Sequence, residues 1–309
     1  MEAEARFRAM GSDVHVVVVG GARSLLGTAR ELIEHLEQRW SRFRGDSEVS
    51  QLNAMAGSHV RVSPETLALV QRALEGARIT GGRYDPTVLG DVIRAGYDRS
   101  FELLDERTTG GVSSFGRGFE RVVVDPVVST VTLPPGVGFD PGGIGKGYAA
   151  DLVVQELLSR GAAGACVNMG GDLRVEGESP SGDAWIIGVE HPLKRRSAGT
   201  VAVRRGAAAT TTKVRRTWGP AGDRRHHLID PSTGAPVRNG VVSSTVIAAE
   251  GWQAEVLAKG TFVAGLAEGL VMFAETGTEG VLFDERGAVY PSYGFDRFAR
   301  PELHTAGVR

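Results

Sequence analysis

The chain has 309 residues, which is long enough for one large domain or two ordinary ones and for a substantial buried core. With 35 basic and 37 acidic residues its formal net charge is −2 at pH 7, so no overall field favours nucleic acid or an anionic membrane surface. Cys166 is the single cysteine, which excludes an internal disulfide and a CxxC redox motif. We expect it to be a small buried side chain.

The N-terminal sequence lacks a basic segment followed by an apolar one, and the longest apolar run, VHVVVV, has only the length of a strand. We therefore expect a cytoplasmic protein with no membrane insertion. The alternating pattern around this run predicts strands near 5–9 and 13–19. The apolar spacing that follows predicts an amphipathic helix over about 23–39.

Turn residues dominate the next segment, 41–57, which has no sustained period and is expected to be a compact loop. A Ser-Pro pair at the start and two glycines at the end predict a helix over 64–80. After a loop that carries the sequence YDPT, the pattern predicts a hairpin at 120–124 and 130–133.

Short β segments and helices alternate irregularly in the rest of the chain. A glycine-rich segment at 139–151 precedes a predicted helix that extends to about 160. Beyond it we expect strands at 164–168, 172–176, 184–190, 199–204 and 241–249, two small strands within the turn-rich stretch 207–237, helices at 252–265 and near 267–276, and a hairpin at 280–284 and 288–292. Because this order is not a series of βαβ units, it favours the α+β class over a doubly wound sheet.

The glycine-rich segment reads FDPGGIGKGYAAD and matches neither a Walker loop nor a dinucleotide fingerprint. Glycines before a helix let the backbone approach a ligand, and the N-terminus of a helix favours negative charge. Lys146 adds a mobile cation there. The segment therefore fits either a phosphate site or a tight strand-to-helix turn with a solvated lysine.

Three other windows carry possible chemistry. VNMGGDLRVEG is either a second close backbone approach or an ordinary hairpin turn. In RHHLIDPSTGAPV, His226 and His227 lack partners at metal-ligand spacing, so one of them is a possible general base and a zinc site is not favoured. Glu255 and Lys259 lie four residues apart on a predicted helix, which is also the spacing of an exposed pair worth roughly 0.3–0.5 kcal/mol.

Taken together and in this order, the windows resemble the ApbE family of FAD:protein FMN transferases from Met10 to about Gly265. The segments that carry the resemblance are MGSD (10–13), SRFRGDSEVSQLN (41–53), GGRYDPTV (81–88), FDPGGIGKGYAAD (139–151), VNMGGDL (167–173), WIIGVEHP (185–192), AAATTT (207–212), HHLIDPSTGAPV (226–237) and AEVLAKG (254–260).

The resemblance implies an α+β fold with FAD in a cleft between two lobes of a single domain, 1–300, followed by a tail, 301–309. It implies an enzyme that splits FAD at the pyrophosphate, releases AMP and attaches FMN through a phosphoester to a threonine or serine of an acceptor protein. Two alternatives stay open: an FAD pyrophosphatase that releases FMN and AMP, and a flavin-binding protein without catalytic activity.

The resemblance also implies roles for residues of this chain. His227 and Lys259 are the expected catalytic residues, and His227 would activate the acceptor hydroxyl or stabilise the transferred phosphoryl group. The residues expected to contact FAD are Met10, Phe43, Asn53, Tyr84, Asp85, Asp140, Lys146, Gly170, Gly171, Leu228 and Ile229. The residues expected at a Mg²⁺ site are Gly143, Glu255 and Ala258.

The chain departs from the family at this metal site. Where the family has an aspartate and a threonine as Mg²⁺ ligands, this chain has Glu255 and Lys259, and a charged lysine has no acceptor atom. In one hypothesis Lys259, anchored by Glu255, takes over part of the cation's task. In the other, which we expect on the grounds of charge, Mg²⁺ is retained by Glu255, Gly143, the diphosphate and water molecules.

Overall fold

A computed structural model of the chain describes residues 2–194 and 196–300, so the predicted tail at 301–309 lies outside the described residues. The helices of the described residues are α1 (Leu25–Trp40), α2 (Glu48–Ala54), α3 (Pro64–Ile79), α4 (Leu89–Arg94), α5 (Gly145–Ser159) and α6 (Gly251–Thr276).

The strands of the described residues range from two to eight residues in length. In chain order they are β1 (Glu2–Ala9), β2 (Ser12–Val19), β3 (Val60–Arg61), β4 (Val123–Asp125), β5 (Thr130–Thr132), β6 (Gly164–Met169), β7 (Asp172–Gly177), β8 (Trp185–Glu190), β9 (Ser197–Val203), β10 (Gly206–Thr212), β11 (Thr217–Trp218), β12 (Arg225–His226), β13 (Ile229–Asp230), β14 (Ala235–Pro236), β15 (Val241–Ala248), β16 (Glu279–Asp284) and β17 (Val289–Pro291).

Two compact units make up the chain. Unit 1 comprises Met1–Glu34, Lys146–Thr212 and Asn239–Arg309, and unit 2 comprises His35–Gly145 and Lys213–Arg238.

Unit 1 is built on an eight-stranded sheet with the order β1-β2-β6-β7-β10-β15-β16-β17. Every neighbouring pair in this sheet is antiparallel. Antiparallel strands combined with helices in one chain confirm the predicted α+β class.

The interior strand β15 is buried along its whole length because both of its faces are covered. On one face Ser244 forms a hydrogen bond of 2.7 Å with Thr261 of α6. On the other face Ile247 belongs to an apolar cluster with Trp185 of β8 and Val201 of β9, which pair as a separate two-stranded ribbon. Unit 1 is therefore layered as helix, sheet and ribbon.

Helix α6 is apolar because it covers the sheet, and the expected division into two helices falls within it. Gly265 has φ 83° and ψ −178°, which interrupts the helix. The side chain of Asn239 donates to the carbonyls of Phe262 and Val263, at 2.7 and 3.1 Å, next to this interruption. Among the described helices α6 alone has the length and composition of a membrane span, but 56% of the relevant window is buried in the protein, so this is weak evidence.

Unit 2 contains the three-stranded sheet β3-β5-β4, the ribbons β11-β12 and β13-β14, and helix α3. The start of α3 follows the sequence prediction: Ser63 accepts a hydrogen bond from the backbone of Thr66, and Pro64 occupies the first turn. A small apolar cluster joins Val92, Tyr97, Trp218 and Ile229, and places the segments after α4 and around β11–β13 side by side.

Three sequence expectations about local structure were wrong. The segment 41–57 is not loop throughout, because α2 begins after a Ser47 cap and buries Val49 and Leu52. Helix α4 was not predicted. The stretch from 207 onward opens with the seven-residue strand β10, whose alanines are buried at the centre of the sheet, where α6 packs closely.

Candidate active site

Four charged side chains of unit 1 form what we call the charge cluster: Lys146, Asp172, Glu255 and Lys259. The Lys146 ammonium contacts a carboxylate oxygen of Asp172 and lies 3.0 Å from Oε1 of Glu255. Lys259 Nζ lies 3.3 Å from the same Glu255 oxygen. Glu255 and Asp172 are 1% and 6% exposed, whereas Lys146 and Lys259 are 18% and 17% exposed. The carboxylates are therefore internal, whereas the lysine side chains are partly exposed.

A close contact between two helices explains how Lys146 reaches Glu255. A Cβ atom on Gly147 of α5 would lie 2.3 Å from the Gly251 carbonyl oxygen, and one on Gly251 of α6 would lie 2.4 Å from that of Gly147. Only glycine permits this approach. Asp151 of α5 then accepts from the backbone N–H groups of Gly251 and Trp252, at 2.6 and 3.0 Å, and caps α6.

The pKa values of the two carboxylates in the charge cluster are shifted in opposite directions. Burial raises the pKa of Glu255, but Lys146, Lys259 and the Gly147 N–H outweigh it and hold the pKa at about 2. Burial raises the pKa of Asp172 above its usual value despite the Lys146 contact. Glu255 is therefore the permanent anion that fixes both lysines.

Two tight turns lie side by side at one end of neighbouring strands in the large sheet. Met10 and Gly11 join β1 to β2 with φ 49° and 62°, and Gly170 and Gly171 join β6 to β7 with φ 67° and 101°. A Cβ on Gly170 would lie 2.8 Å from Ser12 Oγ, so this turn also requires glycine for packing. The structure thus brings together Met10, Gly170 and Gly171, three residues that were expected at FAD.

The residues expected to hold Mg²⁺ do not fit a divalent ion. Oε1 of Glu255 faces two ammonium groups, and Oε2 accepts from the Gly147 N–H at 2.8 Å. Ala258 has no ligand atom in its side chain, and its carbonyl accepts from Thr261 Oγ1 at 3.3 Å. Gly143 lies in a short 3₁₀ turn of unit 2. Within residues 2–194 and 196–300 no group of three or more His, Cys, Asp or Glu side chains could hold a metal ion.

Unit 2 contains what we call the aromatic cluster, formed by Arg42, Phe43, Tyr97, Trp218 and His227. The Arg42 guanidinium carbon lies 4.2 Å from the centroid of Phe43 and 4.7 Å from that of Tyr97. The Tyr97 ring lies 5.4 Å from Trp218 and 6.4 Å, edge-on, from His227. Phe43 is 40% exposed, so the cluster offers an accessible aromatic surface.

Two further predicted FAD residues support the loop that joins this cluster. Asn53 donates to the Phe139 carbonyl at 2.9 Å and accepts from the Phe139 N–H at 2.6 Å, which fixes the start of the glycine-rich loop. Asp140 accepts from the Gly142 N–H at 2.9 Å and lies 3.5 Å from Arg42 Nε. In the described contacts Asn53 therefore holds backbone, and Asp140 links the loop to the aromatic cluster.

The YDPT segment is buried. Tyr84 is 4% exposed, and Asp85, 8% exposed, accepts from the backbone and hydroxyl of Thr87 at 2.7 and 2.6 Å. Burial raises the pKa of Asp85 above its usual value, against the opposing Thr87 hydrogen bonds. These contacts fold the Asp-Pro-Thr turn on itself.

The two adjacent histidines have different surroundings. His226 is buried, its Nε2 lies 3.1 Å from the Val237 carbonyl, and its Nδ1 accepts from the Leu228 N–H at 3.3 Å. Burial lowers the pKa of His226 to about 4, so it is neutral at pH 7. His227 is half-buried against Tyr97, while Leu228 and Ile229 are buried, the latter in the apolar cluster of unit 2.

Sequence reasoning missed Arg42, Tyr97 and Trp218, and it did not assign a contact to Asp172. Aromatic residues make up only 6% of the chain, and four of its residues are tryptophan, so Tyr97 and Trp218 could have been selected as scarce residues among turn formers. The contact between Lys146 and Asp172 spans 26 residues and carries no local pattern.

Comparison with known proteins places this geometry in a family. The model of the ApbE family matches residues 10–282. The FAD:protein FMN transferase of Treponema pallidum is 32% identical over 268 residues, which cover 79% of this chain and 72% of the relative. The FAD:protein FMN transferase of Vibrio cholerae is 28% identical over 259 residues, which cover 82% of this chain and 77% of the relative.

Solved structures show the same relationship. The ApbE protein of Thermotoga maritima superposes with a TM-score of 0.88 at 30% identity, covering 97% of this chain and all of that one. The flavin transferase ApbE of Vibrio cholerae gives a TM-score of 0.81 at 25% identity, covering 96% and 99%. The resemblance drawn from the sequence is confirmed, and the chain belongs to the ApbE family.

Proposed function

We propose that this protein transfers FMN from FAD to a hydroxyl group of an acceptor protein and releases AMP. The observation that carries the proposal is the family match over residues 10–282, within which the relatives are named FAD:protein FMN transferase. We propose a threonine or serine as the acceptor residue, because the hydroxyl group of either can form the phosphoester.

The reaction is a phosphoryl-type displacement in which the acceptor oxygen forms a bond to the FMN phosphorus. The bridging P–O bond to AMP breaks, and the hydroxyl proton passes to a base. In such a transfer, positioning and neutralisation of charge account for most of the catalysis.

The charge cluster is suited to the diphosphate of FAD. Lys146 follows Gly145, the first residue of α5, where the helix N-terminus adds to the attraction for phosphate. Lys146 and Lys259 are both partly exposed and both anchored by Glu255, so their ammonium groups are positioned before the substrate arrives.

His227 is proposed as the base that accepts the hydroxyl proton. Its half-buried ring lies against Tyr97, and the buried neutral His226 accepts a hydrogen bond from the N–H of Leu228, the residue that follows His227. A histidine suits this task because its ordinary pKa lies near neutrality.

The remaining FAD contacts are proposed from the resemblance. Met10, Gly170 and Gly171 form turns at the edge of the large sheet, whereas Phe43 supplies an exposed aromatic ring in unit 2. Tyr84, Asp85, Leu228 and Ile229 are buried in the free protein and would contribute mainly by shaping the site. The cytoplasmic location remains a prediction, which fractionation of cells that produce the protein would test.

The test is to incubate the purified protein with FAD and a lysate or candidate acceptor, then to record flavin fluorescence in a denaturing gel and AMP by chromatography. A fluorescent acceptor band together with AMP supports the transferase. Free FMN and AMP without such a band would identify a pyrophosphatase, and bound intact FAD alone would identify a flavin carrier.

His227→Ala tests the proposed base. We expect FAD binding to be retained and turnover to fall by about 10²–10⁴-fold, the usual contribution of a general base. The matched control is His59→Ala, which removes an exposed histidine of unit 2 whose ring bonds Thr132. Unchanged turnover in His227→Ala would remove this residue from the mechanism.

A further inference from the structure

In the charge cluster, the carboxylate of Glu255, where a divalent ion was expected, is already paired with two ammonium groups. Lys146 and Lys259 both contact the carboxylate of Glu255, and both ammonium groups lie closest to the same oxygen, Oε1. Its other oxygen accepts from the Gly147 N–H. Each carboxylate oxygen is thus occupied by a donor.

A divalent ion at Glu255 would meet strong repulsion. Mg²⁺ binds oxygen at about 2.0–2.1 Å and prefers six oxygen ligands, whereas two of the nearest groups here are ammonium groups with no acceptor atom. If a divalent ion displaced Lys259 from Glu255, the ammonium group would lose its carboxylate partner on a side chain that is only 17% exposed. The same repulsion does not affect a diphosphate, which is attracted by both lysines.

We propose that Lys259 supplies, as a fixed ammonium group, the positive charge that a divalent ion would bring to the diphosphate of FAD, so that this protein needs no divalent ion. The proposal rests on the proposed FAD substrate. Glu255 is then an anchor that orients Lys259 and Lys146 toward the diphosphate and is not a metal ligand.

Two features make the arrangement permanent. The glycine contact between α5 and α6 leaves no room for the helices to approach further, so the backbone positions of Lys146 and Glu255 are fixed. Lys259 follows Glu255 by one turn of α6, where the pair is geometrically favoured. The positive charge is therefore part of the fold and independent of ion concentration.

Metal binding is tested directly with Mn²⁺, whose free ion is counted by electron paramagnetic resonance, in the presence and absence of FAD. We expect no saturable binding by the unaltered protein and a gain of binding in Lys259→Thr, which removes the ammonium group and adds a hydroxyl ligand. Stoichiometric Mn²⁺ binding by the unaltered protein that is lost in Glu255→Gln would overturn the proposal.

Substrate binding is tested by titrating FAD fluorescence in EDTA and in Mg²⁺. We expect the same dissociation constant in both, and a weakening of about tenfold or more in Lys259→Met, which loses a charge-assisted contact but keeps a side chain of similar length. Lys194→Met, which alters an exposed lysine of unit 1, is the matched control. FAD binding that is lost in EDTA and restored by Mg²⁺ would contradict the proposal.

The two tests separate this proposal from the transferase assignment. If FAD neither binds nor reacts under any ionic condition, the proposed function fails. The Mn²⁺ measurements on the unaltered protein and on Lys259→Thr still decide whether Lys259 excludes a divalent ion.

Discussion

The charge cluster and the aromatic cluster both hold cations, but they hold them by different means. Lys146 and Lys259 are held by the carboxylate of Glu255, whereas Arg42 lies over the rings of Phe43 and Tyr97 and donates to the Tyr97 carbonyl at 2.9 Å. An ammonium group is a compact point charge, and a guanidinium is a plane that stacks on aromatic rings. The first arrangement suits a diphosphate, and the second suits a flat, partly apolar group.

This difference predicts how strongly a substitution disrupts each cluster. Removing the shared carboxylate of Glu255 leaves two ammonium groups close together, with Asp172 in direct contact with Lys146. Replacing the planar guanidinium of Arg42 with an ammonium group removes the stacking and alters the hydrogen bond to the Tyr97 carbonyl, but it keeps the positive charge. The following substitutions test this comparison, in order of decreasing expected effect.

Glu255→Gln should cause the largest loss of stability. Removing one partner of a buried ion pair typically costs about 3–5 kcal/mol; here Lys259 loses the carboxylate that it contacts, and Lys146 retains its contact with Asp172. The free energy of unfolding from urea titration measures the effect. Glu34→Gln is the matched control, because Glu34 pairs with Arg30 at a site where its side chain is 46% exposed, and it should change stability by less than about 1 kcal/mol. Equal losses of unfolding free energy in the two variants would show that Glu255 contributes no more through its lysines than Glu34 does through Arg30.

His226 should make stability depend on pH. The pKa of His226 is about 4 in the folded protein against an ordinary value of 6.5, so the unfolded chain binds the proton first as pH falls. Stability from this group is fully present above about pH 6.5 and is lost as pH falls to about 4, by up to about 3 kcal/mol.

Urea titrations across this pH range measure the slope, and His226→Gln should flatten it. A slope that is unchanged in His226→Gln would assign the pH dependence to other groups and remove the argument that His226 is neutral and structural.

Gly147→Ala tests the helix contact that fixes the charge cluster. Its new methyl group would lie 2.3 Å from the Gly251 carbonyl oxygen, so the helices must separate, at a cost of about 1–3 kcal/mol and with weaker FAD binding. Gly27→Ala is the control, since a Cβ there meets nothing within 4 Å in helix α1, and it should stabilise the protein by about 0.5–1 kcal/mol. If Gly147→Ala retained both stability and FAD affinity, the close contact between Gly147 and Gly251 would not be needed to position the charge cluster.

Arg42→Lys should have the smallest effect. The charge is kept, but stacking on two rings is lost, which we expect to cost about 1 kcal/mol and to weaken FAD binding a few-fold. Arg44→Lys, at a side chain that is 48% exposed, is the matched control and should change neither quantity. A large loss on Arg42→Lys would show that the guanidinium makes a specific bidentate contact.

The sequence predicted the parts of the fold that depend on local patterns. Helix α3 was predicted from its Ser-Pro start and the two glycines that follow its end, and β2 from alternation and branched residues. Strand β10 was missed because its run of alanines carries little strand signal, and these small residues occur where α6 packs closely on the sheet.

The candidate site was predicted to a similar extent. The spacing of Glu255 and Lys259 suggested their contact, and the glycine-rich segment drew attention to Lys146. The convergence of all three on one carboxylate oxygen depends on the crossing of α5 and α6 at Gly147 and Gly251, which no local pattern encodes. The stacking of Arg42 likewise depends on Tyr97, which is 55 residues away.

The most direct measurement of the central claim is the ratio of AMP released to FMN covalently bound to a purified acceptor, with the bound FMN located by mass spectrometry of acceptor peptides. A transferase predicts one AMP for each FMN attached to a threonine or serine. Release of AMP with no FMN on the acceptor, or attachment of FMN without AMP, would contradict the account.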